Sequence, residues 1–310
     1  MHTLLSTNDV HPHETKAFWS DVVSQVYAPC QRIELSHQFK AEAEIVRFGV
    51  GEISHVISRG VNYERQSNHC LLDQKDDIFI SIMLNGEGFL TQFNQQVKQK
   101  KGDVLIHDSA FAYLYEYPKA YRSLYYRIPR DFLSSYGFDI DKLGGTLIPS
   151  QSPYAKAINA FLITTYQLID DDETQIGEDI SLPLIQTLSH CLSRVIPVRS
   201  VQHQRLMELN NAKRWMMEHI EDDALTLDDI ASNCHRTVRS LNRLFADFGE
   251  SPIQWLKSQR LLKAHSLLNH PHQQSITEIA FQCGFNDISR FGKLFRAKFG
   301  CSPSELRKTN

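Results

Sequence analysis

The stretch Ser275-Ile-Thr-Glu-Ile-Ala-Phe-Gln-Cys-Gly-Phe-Asn-Asp-Ile-Ser-Arg-Phe-Gly-Lys-Leu-Phe-Arg-Ala-Lys-Phe-Gly-Cys-Ser-Pro303 decides how the C-terminal third of this chain folds, because an earlier stretch repeats its order of signals. Thr226-Leu227-Asp228-Asp229-Ile230-Ala231 and Ser275-Ile276-Thr277-Glu278-Ile279-Ala280 both begin with a hydroxyl residue three places before a carboxylate. In that pattern each side chain satisfies the other's orphan backbone donor at a helix start. Each unit pauses at a short turn, Cys234-His235-Arg236 or Cys283-Gly284-Phe285, and restarts at a capping residue, Thr237 or Asn286. The second helices align once one inserted residue is allowed. Leu241, Leu244, Phe245 and Phe248 fall at i, i+3, i+4 and i+7, and Phe291, Leu294 and Phe295 repeat the spacing, so each helix keeps one apolar stripe. Both units close on Phe-Gly-x-Ser-Pro, at 248–252 and 299–303.

Two short helices joined by a tight turn make a helix-turn-helix, whose second helix fits the DNA major groove. The exposed face of that helix is then polar and basic. Arg239, Ser240, Asn242 and Arg243 follow the cap Thr237 in the first unit, and Ser289, Arg290, Lys293 and Arg296 follow Asn286 in the second. Arg and Lys reach guanine acceptors and Asn pairs with adenine, while any of these groups can instead clamp a phosphate. A solvated helix face is the alternative for a single residue; the paired pattern argues against it for the set.

Residues from about 203 to 310 resemble the DNA-binding domain of the AraC/XylS family of transcription regulators, and the segment 275–303 is similar to that family's signature. The resemblance implies seven helices in two subdomains, joined by one rigid helix at about Ile253 to Asn269. It also implies that two recognition helices enter successive major grooves, roughly 34 Å apart. Promoter DNA, RNA polymerase and a small-molecule effector are the partners it implies, with no cofactor. The first unit departs from the pattern where His235-Arg236 replaces Gly284-Phe285, so its turn lacks the residue best suited to a positive φ.

Composition fits two soluble domains: 310 residues, 42% hydrophobic and 22% charged. The N-terminus lacks a signal peptide's charged and apolar regions, and no stretch approaches a membrane span, so a cytoplasmic protein is expected. The net charge of -3 conceals an uneven distribution. Residues 1–200 hold 18 Lys+Arg against 24 Asp+Glu, whereas residues 230–310 hold 12 against 5. Only the basic part is suited to phosphates, whose neutralisation releases counterions. The cysteines (Cys30, Cys70, Cys191, Cys234, Cys283, Cys301) are scattered without metal spacing and read as buried small hydrophobes, a thiol sensor being the alternative.

The chain is therefore expected to be α+β, with a β-barrel or jelly-roll sensor over 1–150 and paired helices over 151–197. A linker at 198–204 then leads to an all-α DNA-binding domain over 205–310, with its helix-turn-helix units at about 226–248 and 275–299. Residues 153–169 and 180–196 read as amphipathic helices broken by Asp170-Asp171-Asp172-Glu173. Their stripes, including Ile158, Leu162, Leu184 and Leu188, suggest a homodimer interface; covering the neighbouring sheet is the alternative. Residues 43–130 read as strands. Asp77–Leu84 and Gly88–Phe93 make a hairpin about Asn85-Gly86, and Lys101-Gly102-Asp103 marks a turn. Phe111, Tyr113, Tyr115 and Tyr117 alternate along one strand, and Tyr121 to Ile128 form another. The segment from about Arg59 to Phe132 resembles the cupin-like sensor domain common in these regulators.

An aromatic-lined interior can hold one small molecule. Candidate wall residues are Phe79, Met83, Phe93, His107, Tyr113, Tyr115 and Tyr126, with Arg65 or Arg122 to fix an anion; packed core is the alternative for each. An enzyme of the cupin type would need about three His and a carboxylate on one metal. His55, His69 and His107 are the only histidines in the strand region and lack a His-x-His pair, and His107-Asp108-Ser109 is no triad because strand neighbours point to opposite faces. A constitutive DNA-binding protein or repressor whose first domain only dimerises is the rival to a ligand-gated activator.

Overall fold

The computed structural model describes residues 2–66, 76–136, 140–168, 174–195, 201–269 and 274–309, together with Cys70. The acidic break at 170–173, His69 and the start of the expected linker lie outside them. The chain divides into two compact units, Met1–Ser200 and Val201–Asn310. The expected linker residues 201–204 belong to the first helix of the second unit.

The first unit holds two antiparallel sheets. One runs β1 (His2–Ser6), β3 (Ala41–Phe48), β4 (Gly51–Ser58), β11 (Tyr121–Ile128), β6 (Ile78–Asn85), β9 (Val104–Asp108), β12 (Thr146–Ile148). The other runs β2 (Arg32–Leu35), β5 (Val61–Arg65), β10 (Tyr113–Tyr117), β7 (Glu87–Gln92), β8 (Gln95–Lys100). Because the two sheets stay separate, the unit is an open sandwich and not a closed barrel. The pleat divides β6 and β11 between two cores. Ile78, Ile80, Ile82, Leu124, Tyr126 and Ile128 face one cluster, while Met83, Tyr121 and Tyr125 face the other, between the sheets.

The chain passes from one sheet to the other at its corners, and this overturns the expected Asn85-Gly86 hairpin. Strand β6 pairs with β9 and β11, and β7 with β8 and β10. Gly86 has φ +88°, and a Cβ there would lie 2.7 Å from the Ala120 carbonyl oxygen, so the corner packs against the β10–β11 corner. The two-residue hairpin is instead at Phe93-Asn94, with φ +54° and +58° between the paired Gln92 and Gln95. Positive φ at both central residues is what the twist of adjoining strands favours.

Helices α3 (Pro153–Leu168) and α4 (Thr174–Val195) cover the outer face of the seven-stranded sheet. Ile158, Leu162, Leu184 and Leu188 are 0–1% exposed among Ile80, Ile82 and Val104. Each such burial contributes about 1.5–3 kcal/mol, which a dimer would forfeit on exposing it. These four residues therefore hold the helices to their own sheet, correcting their assignment to a dimer surface. Two further helices were not read from the sequence, α1 (Thr15–Val26) and α2 (Arg130–Ser135).

The second unit contains seven helices among the described residues: α5 (Val201–Glu218), α6 (Leu227–Asn233), α7 (Val238–Ala246), α8 (Pro252–Asn269), α9 (Ile276–Gln282), α10 (Ile288–Phe299) and α11 (Pro303–Thr309). At 1.5 Å per residue, α8 is about 27 Å long, and it buries Trp255, Leu256, Leu261, Ala264 and Leu268. Phe248 does not complete the first stripe: α7 ends at Ala246 and Phe248 is 37% exposed.

Candidate nucleic-acid interface and effector cavity

Both helix-turn-helix units are built by the caps the sequence announces. The Thr226 hydroxyl accepts from the Asp229 amide (3.2 Å), and the Asp229 carboxylate accepts from the Thr226 amide (2.9 Å). Ser275 and Glu278 repeat this at 3.2 and 2.6 Å. Hydrogen bonds from Thr226 to Asp229, and from Ser275 to Glu278, hold both carboxyls below their usual pKa. The turns match bond for bond. Arg236 N–H donates to Ala231 O and Phe285 N–H to Ala280 O. His235 takes φ +51°, so the first unit keeps the left-handed turn that Gly284 makes at +75°.

The inserted residue is Asn286. Thr237 caps α7 by accepting from Ser240, but α10 is capped by Asp287, whose carboxylate accepts from the Arg290 amide at 2.9 Å. This corrects Asn286 as the cap, since two good capping residues stand side by side. From the caps onward Arg239 aligns with Ser289, Ser240 with Arg290, Asn242 with Gly292 and Arg243 with Lys293.

Not every expected DNA contact is free. Arg239, Arg243, Ser289, Arg290, Lys293 and Arg296 are exposed along α7 and α10. Asn242, however, donates its amide to Val238 O at 3.0 Å, and Ser240 accepts from Arg236 at 2.8 Å. Arg236, which is not among the expected DNA contacts, also forms an ion pair with Glu208. The first helix-turn-helix thus presents two arginines one turn apart, and the second helix-turn-helix a denser basic face.

Between the sheets of the first unit lies a cavity of about 440 Å³ including its mouth. His107, Tyr113 and Tyr115 line it as expected. Phe79 stands behind, stacked on His107 with ring centroids 4.7 Å apart, and Met83 belongs to the surrounding core. Tyr126 is on the opposite face, packed edge-on against Phe48, and its neighbour Tyr125 lines the cavity instead. Phe93 sits in the hairpin turn against Phe111. Arg65 is buried and donates to Ser109 O (2.9 Å) and Pro29 O (2.8 Å), so it clamps backbone and does not line the cavity. Arg122 is exposed, pairing with Ile57 one position before the cavity-facing Ser123–Val56 step.

Further wall residues, not among the sequence candidates, are Trp19 and Val23 on α1, Tyr27 just after it, and Cys30, Val56, Tyr63, Tyr117 and Tyr121. The signal was there: Trp19, Val22, Val23 and Val26 fall at i, i+3, i+4 and i+7. Tyrosine hydroxyls on this wall pair with the framework. Tyr63 accepts from Trp19 Nε1 (2.8 Å), Tyr117 meets Tyr125 (2.8 Å), Tyr27 meets Ser54 (2.9 Å), Tyr113 meets Cys30 Sγ (3.7 Å) and Tyr115 meets His107 Nδ1 (3.1 Å).

Burial pushes the His107 pKa down to about 3, with the Arg65 charge adding to the shift. Its folded value lies below the unfolded value of about 6.5, so acid protonates the unfolded chain first. Stability from neutral His107 is present above pH ~6.5 and is lost at about 1.4 kcal/mol per pH unit below it. The unfolding free energy measured from pH 7 to 5 should fall less steeply in His107→Phe than in the parent, the difference reaching about 2 kcal/mol at pH 5; parallel slopes would show that His107 is not held neutral.

Two helix-turn-helix units on one helical scaffold, each offering a basic second helix, define a DNA-binding transcription regulator. The HTH-type transcriptional activator RhaS of Shigella dysenteriae serotype 1 (strain Sd197) is 30% identical over 240 residues, covering 74% of this chain and 84% of the relative. The chain belongs to the AraC/XylS family of transcription regulators. A helix-turn-helix domain family matches residues 230–309. The transcriptional activator NphR of Rhodococcus sp is 22% identical over 317 residues, 98% of this chain and 92% of the relative. The crystal structure of the AraC-like transcriptional activator CuxR shares the fold, with a TM-score of 0.58 at 14% identity over 91% of this chain and all (100%) of that one.

Among the described residues no cluster of His, Cys, Asp and Glu could hold a metal ion, and no helix is long and apolar enough to cross a membrane.

Proposed function

We propose that this chain is a small-molecule-responsive transcription activator that works as a cytoplasmic homodimer, reads an operator with both α7 and α10, and acts on RNA polymerase at the promoter. The observation that carries the reading is the pair of exposed basic helix faces, Arg239 and Arg243 on one and Ser289, Arg290, Lys293 and Arg296 on the other. Thr237 and Asn286 are exposed at the two turns, and in this reading they meet the phosphate backbone. The cavity of the first unit is the effector site, and a ligand acts by changing how the two helices engage DNA. RhaS and NphR are named as transcriptional activators, which supports activation over repression. With the inner stripes of α3 and α4 packed on the sheet, the homodimer uses surfaces other than Ile158, Leu162, Leu184 and Leu188. No catalytic step enters the function.

Selection from a random duplex pool with the full-length protein, at two salt concentrations, tests this directly. Two short motifs about one helical turn apart, retained at the higher salt, are expected. No enrichment, with or without candidate effectors, would sink the reading. Within a selected operator, Arg290→Ala should cost roughly 1–3 kcal/mol and relax preference at one position if it reads a base. Equal weakening on all sequences with a shallower salt slope would make it a phosphate contact.

A further inference from the structure

We infer that the cavity of the first unit selects a small, electrically neutral aromatic molecule carrying one hydrogen-bonding group for His107. The inference rests on the effector-site reading and narrows it to a chemical class.

No Asp, Glu, Lys or Arg is among the residues lining the cavity. The hydroxyls of its tyrosines bond to one another or to the framework, which leaves ring faces as the surface a ligand meets. Such a wall favours flat apolar molecules through stacking and edge contacts. A charged ligand would have to shed water without gaining a partner, which is strongly unfavourable. Aromatic walls can attract cations, but Arg65 is buried opposite Tyr113 in the β5–β10 register and its charge is felt at His107, which opposes a positive guest. A carboxylate fares no better, because Arg65 Nε and Nη1 already donate to Ser109 and Pro29 carbonyls. His107 is the polar exception on the wall. Its Nδ1 is engaged by Tyr115, leaving Nε2 as the group for a hydroxyl or carbonyl on the ligand. Twelve side chains, seven of them phenol rings and one an indole, crowd this space, which suits a small flat guest.

The test uses the full-length protein and four probes of similar size: 4-methylphenol, toluene, tyramine as the cation and 4-hydroxyphenylacetate as the anion. Calorimetric titration and the melting temperature of the first unit are read for each. We expect 4-methylphenol to bind and raise the melting temperature by mass action, while tyramine and 4-hydroxyphenylacetate give no shift at the same concentration. Val56→Phe should abolish binding by filling the cavity, and Cys30→Phe serves where Val56→Phe fails to fold. His107→Phe should weaken 4-methylphenol roughly five- to tenfold and leave toluene unchanged. An ion binding as tightly as 4-methylphenol, and displaced by Val56→Phe, overturns the neutral class while keeping the effector site. Silence from both neutral probes overturns the inference, and a metabolite screen with DNA affinity as readout then decides the effector site separately. Equal loss of toluene and 4-methylphenol in His107→Phe would remove His107 as the polar contact.

Discussion

Phe295→Ala is expected to unfold the second helix-turn-helix under conditions in which the parent is folded. Phe295 is 0% exposed and lies at the centre of an aromatic chain, 5.6 Å from Phe291 and 4.6 Å from Phe299 between ring centroids. The imidazole of His265, from α8, stacks on it at 6.0 Å. Removing the ring subtracts its transfer energy and leaves a cavity that helices pinned by two caps and a shared scaffold cannot close, at a cost of about 3–5 kcal/mol. A domain of this size has a total stability of about 5–15 kcal/mol, so the loss is a large share of it. Urea unfolding read by Trp215 and Trp255 in a Trp19→Phe background should show a midpoint lower by roughly 1.5–2.5 M. Phe281→Ala is the control: Phe281 is 53% exposed on α9 and its loss should stay within about 0.5 kcal/mol. A Phe295→Ala midpoint equal to that control would mean the second unit is not held by this core.

Gly284→Ala is expected to be nearly as damaging although it adds one methyl. At φ +75° an L-residue is already strained by about 1–2 kcal/mol. The new Cβ would also lie 2.5 Å from the Ile220 carbonyl oxygen and 2.7 Å from Arg260 Nε. Arg260, buried on α8, donates to the carbonyls of Ile220 and Asp222 in the α5–α6 connection. Making room for the methyl displaces the guanidinium from those carbonyls, each charged hydrogen bond being worth about 1.5–3 kcal/mol. With one of the two bonds lost, strain and bond together cost about 2.5–5 kcal/mol, and sequence-specific binding by both helices should fall together because Arg260 joins their supports. His235→Gly at the equivalent turn should do the reverse, since His235 is exposed and only its φ of +51° is relieved. Melting curves of the two variants that moved in the same direction would refute this account of the turns.

The C-terminal third could be read because its information is local. The Thr226/Asp229 and Ser275/Glu278 boxes, the stripes through Leu244 and Phe295, and the Gly284 turn each act within a few residues. Where the reading failed, the deciding contacts were remote. Asn85-Gly86 carries a strong hairpin signal, yet the strand after it is claimed by β8 and β10, and the turn becomes a corner. The alternation of β11 is visible in the sequence, but which face meets the second sheet depends on pairing, so the sequence points to Tyr126 where Tyr125 lines the cavity. Arg65 looked available because a sequence does not show two carbonyls converging on it from residues 29 and 109. The stripes on α3 and α4 were correct as stripes, and sequence alone could not say whether a sheet or a second subunit would bury them.

The residue inserted at Asn286 means that the two second helices set off from their turns one position apart and carry unlike side chains at matched places, Arg239 against Ser289 and Ser240 against Arg290. A recognition surface whose two ends differ has a polarity. On the proposed reading by both α7 and α10, the DNA site of each chain has a front and a back and the chain sits on it in one orientation, so turning that site end for end relative to a gene would change which end of the protein faces the start of transcription.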